Sequence, residues 1–206
     1  LIVCAMRMES PQETARAAQL AARYKGQGVI GFDIAGAERG FPPGLHADAF
    51  AIAREAGLGL TCHAGEADIG ARVLEAAAVG ATRIGHGVNI MLPPGAPGQT
   101  EQVKAARELG LHFEVCPTSN VHTGAVASLA AHPIGAMVRA GLSVSCSTDN
   151  RLMSGVTLSH ELQSIHDING ITLPQIGTMM RQAAGASFMP ADVRTASAQV
   201  MSRWDS

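Results

Sequence analysis

Six short apolar runs alternate with segments of helical character along this chain, and that alternation restricts its fold more than any other feature. The runs are Leu1-Ile2-Val3-Cys4-Ala5-Met6, Val29-Ile30-Gly31-Phe32-Asp33-Ile34-Ala35, Gly59-Leu60-Thr61-Cys62, Thr82-Arg83-Ile84-Gly85-His86, Leu111-His112-Phe113-Glu114-Val115-Cys116 and Leu142-Ser143-Val144-Ser145-Cys146-Ser147. They recur about every 23 to 33 residues, room enough for one helix between each pair. Strands alternating with helices call for a parallel sheet with right-handed crossovers. Ser10-Pro11-Gln12-Glu13 is a helix start, with serine as N-cap and proline at the first helical position. That helix is predicted to reach residue 25 and stop at Gly26. Others are predicted over 45–56, closed by Gly57, over 71–79, closed by Gly80, and from the loop 93–98 to Leu109, closed by Gly110. A helix over 125–140 should break at His132-Pro133. Helices over 157–168, 174–184 and 191–204 complete the chain.

Such a sheet is either doubly wound or a barrel. The chain has no G-x-G-x-x-G and no G-x-x-x-x-G-K-[ST]. Polar residues follow successive strands, as in barrels that gather their sites at the strand C-termini. The expected class is α/β, a partial (β/α)8 TIM barrel of about six of the eight strand-helix units with extra C-terminal helices, one domain over 1–206. Because Leu1 falls inside a strand, the two remaining units are expected before it. The first and last strands would then have open edges that invite pairing with another chain.

Composition removes several functions. Lys+Arg 15 against Asp+Glu 17 gives a net charge of -2, and aromatics are 3%, so a stacking nucleic-acid surface is not expected. No apolar stretch reaches the roughly 18 residues of a membrane span. Cys4, Cys62, Cys116 and Cys146 lie in apolar runs without a C-x-x-C pair and read as reduced core thiols of a cytoplasmic protein.

Groups with chemistry of their own stand at the ends of the runs. His63 closes the third, and Glu66 follows three residues later. Imidazole is a metal ligand and the carboxyl a proton donor, although a lone strand-end histidine is more often structural and Glu66 serves equally at a helix N-terminus. His86 ends the fourth run between two glycines, and Asp149 follows the sixth. His122 and His160 read as surface residues, His112 lies at the wrong end of its strand, and His132-Pro133 marks a helix break. Arg151-Leu152-Met153-Ser154-Gly155 reads as a loop closing over a substrate.

Four motifs in this order, His63-Ala64-Gly65-Glu66, Arg83-Ile84-Gly85-His86-Gly87, Glu114-Val115-Cys116-Pro117-Thr118-Ser119-Asn120 and Ser147-Thr148-Asp149-Asn150, resemble the adenosine deaminase family of zinc hydrolases. Gly31-Phe32-Asp33-Ile34-Ala35-Gly36-Ala37-Glu38 is similar to the family's segment before the histidine strand. The resemblance spans 1–158. It implies hydrolytic deamination of adenosine or deoxyadenosine to inosine and ammonia, in purine salvage. His63 and Asp149 would ligate Zn2+, which lowers the pKa of a bound water. Glu66, protonated, would donate to purine N1, and His86 with Asp149 would hold the attacking hydroxide. The Gly36 N–H would meet purine N3 and Asn150 would face N7. The implied partner is a small purine nucleoside, and no oligomeric state is implied.

Two departures qualify that reading. The family carries H-x-H on its first strand, whereas no two of the eight histidines here are separated by one residue. Two further histidine ligands are therefore expected from a preceding strand, and this chain alone should bind zinc poorly and be weak or inactive. Asn150 stands where many relatives have aspartate, which leaves adenine or a modified aminopurine open as substrate. A catalytically dead purine-binding paralogue is the reading from another class.

Overall fold

The computed structural model describes residues 1–91 and 93–202. Strands β1 (Ile2–Met6), β2 (Gly31–Ala35), β3 (Gly59–Ala64), β4 (Arg83–His86), β5 (His112–Val115) and β6 (Ser143–Cys146) form a six-stranded parallel sheet in chain order. A doubly wound sheet reverses its strand order at a switch point. Here each crossover steps to the next strand, so right-handed connections place the helices on one face and wind the sheet as part of a barrel. The α/β partial-barrel expectation holds.

The helices are α1 (Pro11–Arg23), α2 (Ala47–Glu55), α3 (Ala71–Ala78), α4 (Gln99–Glu108), α5 (Pro117–His122), α6 (Ile134–Arg139), α7 (Arg151–Ser154), α8 (Leu158–Asn169), α9 (Leu173–Ala186) and α10 (Ala191–Ser202). The Ser10 side chain caps α1 by accepting from the Glu13 N–H at 3.3 Å. Ala18 and Ala21 of α1 and Ala49 and Ala53 of α2 are fully buried, and these small side chains let the two helices pack side by side. Phe32, Phe50, Ile84, Phe113, Ile134 and Ile165 are fully buried between sheet and helices. No helix among the described residues is long and apolar enough to cross a membrane.

Three local expectations change. The predicted helix over 125–140 is helical only at Ile134–Arg139. A helix forms earlier, at Pro117–His122, because Pro117 sits at a first helical position where its missing N–H costs nothing. The Arg151 loop is a one-turn helix, α7, capped by the Asn150 side chain, which accepts from the Met153 N–H at 3.3 Å. Cys62 and Cys116 are buried, but Cys4 is exposed, because β1 is an edge strand; all four thiols are free. Arg203 and Trp204, predicted as the end of the last helix, lie outside the described residues.

The end of the sheet remote from the site is closed by a residue the sequence did not single out. Phe188, between α9 and α10, lies against Gly31 and Gly59 at the starts of β2 and β3, and the Arg83 guanidinium stacks 4.2 Å from its ring centroid. A Cβ on Gly59 would overlap that ring. Nearby, Glu114 pairs with Arg83 and accepts from Thr61 Oγ1 at 2.8 Å. His112, at the start of β5 as expected, sits between the Ser143 and Ser145 hydroxyls at 2.8 and 3.0 Å.

Candidate active site

At the C-terminal ends of the strands, Gly36, His63, Glu66, His86 and Asp149 line one open cleft of about 810 Å³. Asn150 lies beyond this lining, its carbonyl oxygen turned to cap α7. His86 (φ 63°) and Asp149 (φ 55°) are the only non-glycine residues with positive φ among the described residues. Left-handed backbone costs a residue with a Cβ about 1 kcal/mol or more, and such strain clusters where function fixes a side chain's aim. Gly36 (φ 102°) avoids that cost, and Met8 Sδ would lie 2.5 Å from any Cβ there, so this backbone reaches the cleft only as glycine.

His63 is the best braced of the group. Asp33 on β2 accepts from its backbone N–H at 3.3 Å, and Asp33 Oδ2 lies 2.9 Å from Nδ1, close but poorly directed for a hydrogen bond. Nδ1 thus faces the carboxylate and Nε2 is left for the cleft, the orientation that metal-binding histidines take from an acidic neighbour. Burial opposes charge on this ring, but the adjacent Asp33, with Glu66 and Asp149, outweighs it and pushes the imidazole up to about 9. Fully buried Arg7 donates from Nη1 to the His63 carbonyl at 2.8 Å and from Nε to the Phe41 carbonyl at 2.9 Å, tying the end of β1 to the end of β3.

Glu66 rides on a loop held by another carboxylate. Buried Glu38 accepts the backbone N–H of Gly65 at 2.5 Å through Oε1, and those of Glu66, Ala67 and Asp68 at 2.9, 2.8 and 3.1 Å through Oε2. From the other side, Asn89 Nδ2 donates to the Glu66 and Asp68 carbonyls at 2.8 Å each. The Glu66 carboxyl is 3.5 Å from His86 Nε2 and accepts from Thr123 Oγ1 at 3.2 Å. Burial holds the His86 imidazole below its usual range, despite Glu66. Ser119 Oγ donates to Asp149 Oδ2 at 2.7 Å.

Imidazole and carboxylate are donors suited to zinc, and His63 Nε2 and Asp149 meet that description. Donor atoms of His86, Cys116 and Asp149 also lie within 4.8 Å of one another. Burial pushes the Cys116 thiol well up, which favours the neutral, weakly ligating form.

The sequence reading missed Asp33, Glu38 and Arg7 as supports, although the first two lie in a motif it quoted. An acid inside an apolar strand is a visible signal, but its partner is a matter of sheet register: His63 and Asp33 meet only because β2 and β3 pair. Nothing in the sequence marks Ser119 or Asn120 as partners of Asp149 and His86.

A family model described as adenosine deaminase matches residues 1–204. An adenosine deaminase of Mycobacterium sp. (strain JLS) is 42% identical over 185 residues, 87% of this chain and 51% of its own length. One from Enterococcus faecalis is 35% identical over 191 residues, 93% of this chain and 55% of its own. The chain therefore spans about half the length of the curated relatives it matches. Among solved structures, an adenine deaminase from Arthrobacter aurescens superposes with TM-score 0.87 at 24% identity, over 100% of this chain and 61% of that one. An Arabidopsis protein, ADAL, complexed with IMP, gives 0.84 at 20% identity, over 98% and 57%. At these identities the structural likeness speaks for the fold.

Proposed function

The chain belongs to the adenosine deaminase family, and from that premise we propose that the protein converts adenosine or deoxyadenosine to inosine or deoxyinosine and ammonia by hydrolysis, in cytoplasmic purine salvage. The observation that supports this most is the convergence of His63, Glu66, His86 and Asp149 on one cleft from the ends of three different strands. The purine C6 would sit among them. Glu66, as the acid, gives a proton to ring N1 while water adds to C6. Asp149, held by Ser119, accepts the proton of that water, and His86 orients it by a hydrogen bond from its ring. The proton taken by Asp149 passes to the exocyclic amine, which leaves as ammonia, and the C6 hydroxyl returns its proton to Glu66 as the carbonyl forms. The Gly36 backbone N–H would read N3. Asn150, which lies outside the cleft lining with its carbonyl capping α7, would reach N7 with its amide only by turning toward the cleft.

The donor set fits Zn2+, held by His63 and Asp149. When bound, the ion supplies the Lewis acidity that makes water a nucleophile near neutral pH. Catalytic zinc sites use three or more protein ligands, so His63 and Asp149 need at least one more, and the family resemblance assigns that role to an H-x-H pair these 206 residues do not contain. The substrate is a small molecule, and the runner-up is adenine or a modified aminopurine, which Asn150 leaves open. The test is loss of adenosine absorbance with adenosine and adenine as separate substrates, and with Glu66→Gln as control. Turnover of adenosine, lost in the variant, supports the reading. A zinc-loaded protein that binds purines and deaminates none overturns it in favour of a binding paralogue.

A further inference from the structure

His132 and Asn120 take no part in the chemistry above, yet they form an unbroken buried chain to His86. The Ile134 backbone N–H donates to His132 Nδ1 at 3.1 Å. His132 Nε2 lies 3.2 Å from Asn120 Oδ1, and Asn120 Nδ2 lies 3.0 Å from His86 Nδ1. Exposure is 5% for His132, 0% for Asn120 and 3% for His86, so water does not compete for these atoms.

The direction of every link follows from its first. A backbone N–H can only donate, so His132 Nδ1 accepts and carries no proton. A neutral imidazole with a bare Nδ1 has its proton on Nε2, which must then donate to Asn120. The atom of Asn120 facing it is therefore the carbonyl oxygen, which turns the amide NH2 toward His86. Nδ1 of His86 in turn accepts, and its proton sits on Nε2, the nitrogen 3.5 Å from the Glu66 carboxyl at the cleft. Burial holds His132 down at about 4, so the ring is neutral at neutral pH, as this chain of donors requires.

We propose that His132 and Asn120 are positioning residues that lock His86 into the tautomer carrying its proton on Nε2, so that His86 enters the cleft as a hydrogen-bond donor and not as a base. The tautomer stands on geometry alone; its consequence for catalysis rests on the deaminase reading. In that reaction, His86 can orient the attacking water or stabilise charge forming on its oxygen, while the proton goes to Asp149.

The decisive measurement is long-range proton–nitrogen NMR on histidine-labelled protein, with the His86 signal assigned by its loss in His86→Gln. The expected pattern is protonated Nε2 and bare Nδ1 for both His86 and His132. Asn120→Asp, the same size but acceptor-only, should place a proton on His86 Nδ1. A wild-type His86 protonated on Nδ1, or an Nδ1 still bare in folded Asn120→Asp, overturns the proposal. In parallel, kcat for adenosine should fall about 100-fold in Asn120→Asp with KM little changed, the usual scale for loss of one preorganised donor. Because the NMR result needs no turnover, failure of the tautomer and failure of the deaminase reading are told apart.

Discussion

Replacing Glu38 with glutamine isolates what holds the Glu66 carboxyl in place. The side chain keeps its size, but only one of its two terminal atoms can still accept. The amide oxygen will turn to the three N–H groups of Glu66, Ala67 and Asp68, leaving the NH2 against the Gly65 N–H, donor facing donor. A hydrogen bond to a charged group contributes about 1 kcal/mol more than a neutral one, and a buried unsatisfied N–H costs about 1–3 kcal/mol. Three weakened bonds sharing one oxygen and one orphan amide together cost about 4 kcal/mol. Hydrogen exchange at the amides of residues 65–68 should accelerate about a thousandfold, since each 1.4 kcal/mol is a factor of ten. The proposed deaminase activity should fall with it, because the Glu66 N–H is among the four. An acceleration below about fivefold, under 1 kcal/mol, would refute the reasoning and reduce Glu38 to a spectator.

Three further outcomes are expected. Phe188→Ala should lower stability by about 2–4 kcal/mol by opening a void against Gly31 and Gly59, read as the urea midpoint. Gly59→Ala should destabilise too, by overlap with the same ring, and a neutral result in both would remove Phe188 from the fold's supports. Acid should weaken the fold between pH 7 and 5. Burial depresses His112 and His132 from 6.5 to about 4 in the folded state. Below 6.5 the unfolded chain takes up their protons and the folded chain does not, so stability present above 6.5 is lost as pH falls, about 2 kcal/mol per histidine by pH 5. His63, raised to about 9, acts in the opposite sense, but its contribution is gained mostly between 9 and 6.5. A flat urea midpoint from pH 7 to 5, or an unchanged slope in His112→Gln, would contradict this.

Periodicity carried the fold. Short apolar runs separated by one helix-length each leave a parallel sheet as the solution, and the absence of a glycine fingerprint turned the choice toward a barrel. Local chemistry carried the ends of elements, as with Ser10 and Pro11 at the start of α1. It failed at 125–140, where only Ile134–Arg139 is helical, and it did not foresee the helix that Pro117 starts at the end of β5. The groups that face the cleft, His63, Glu66, His86 and Asp149, were legible because a polar residue closing an apolar strand stands out. Their supports were not. Asp33, Glu38, Arg7, Asn120 and His132 act across about 27 to 56 residues of chain, or through a tautomer, and hydrogen bonds at that range exist only once strands have paired. What the amino-acid order determined by itself was which chemical groups arrive at the strand ends. Only the tertiary structure decided which nitrogen of each ring faces the cleft, because that is set by a neighbour from a different strand or helix.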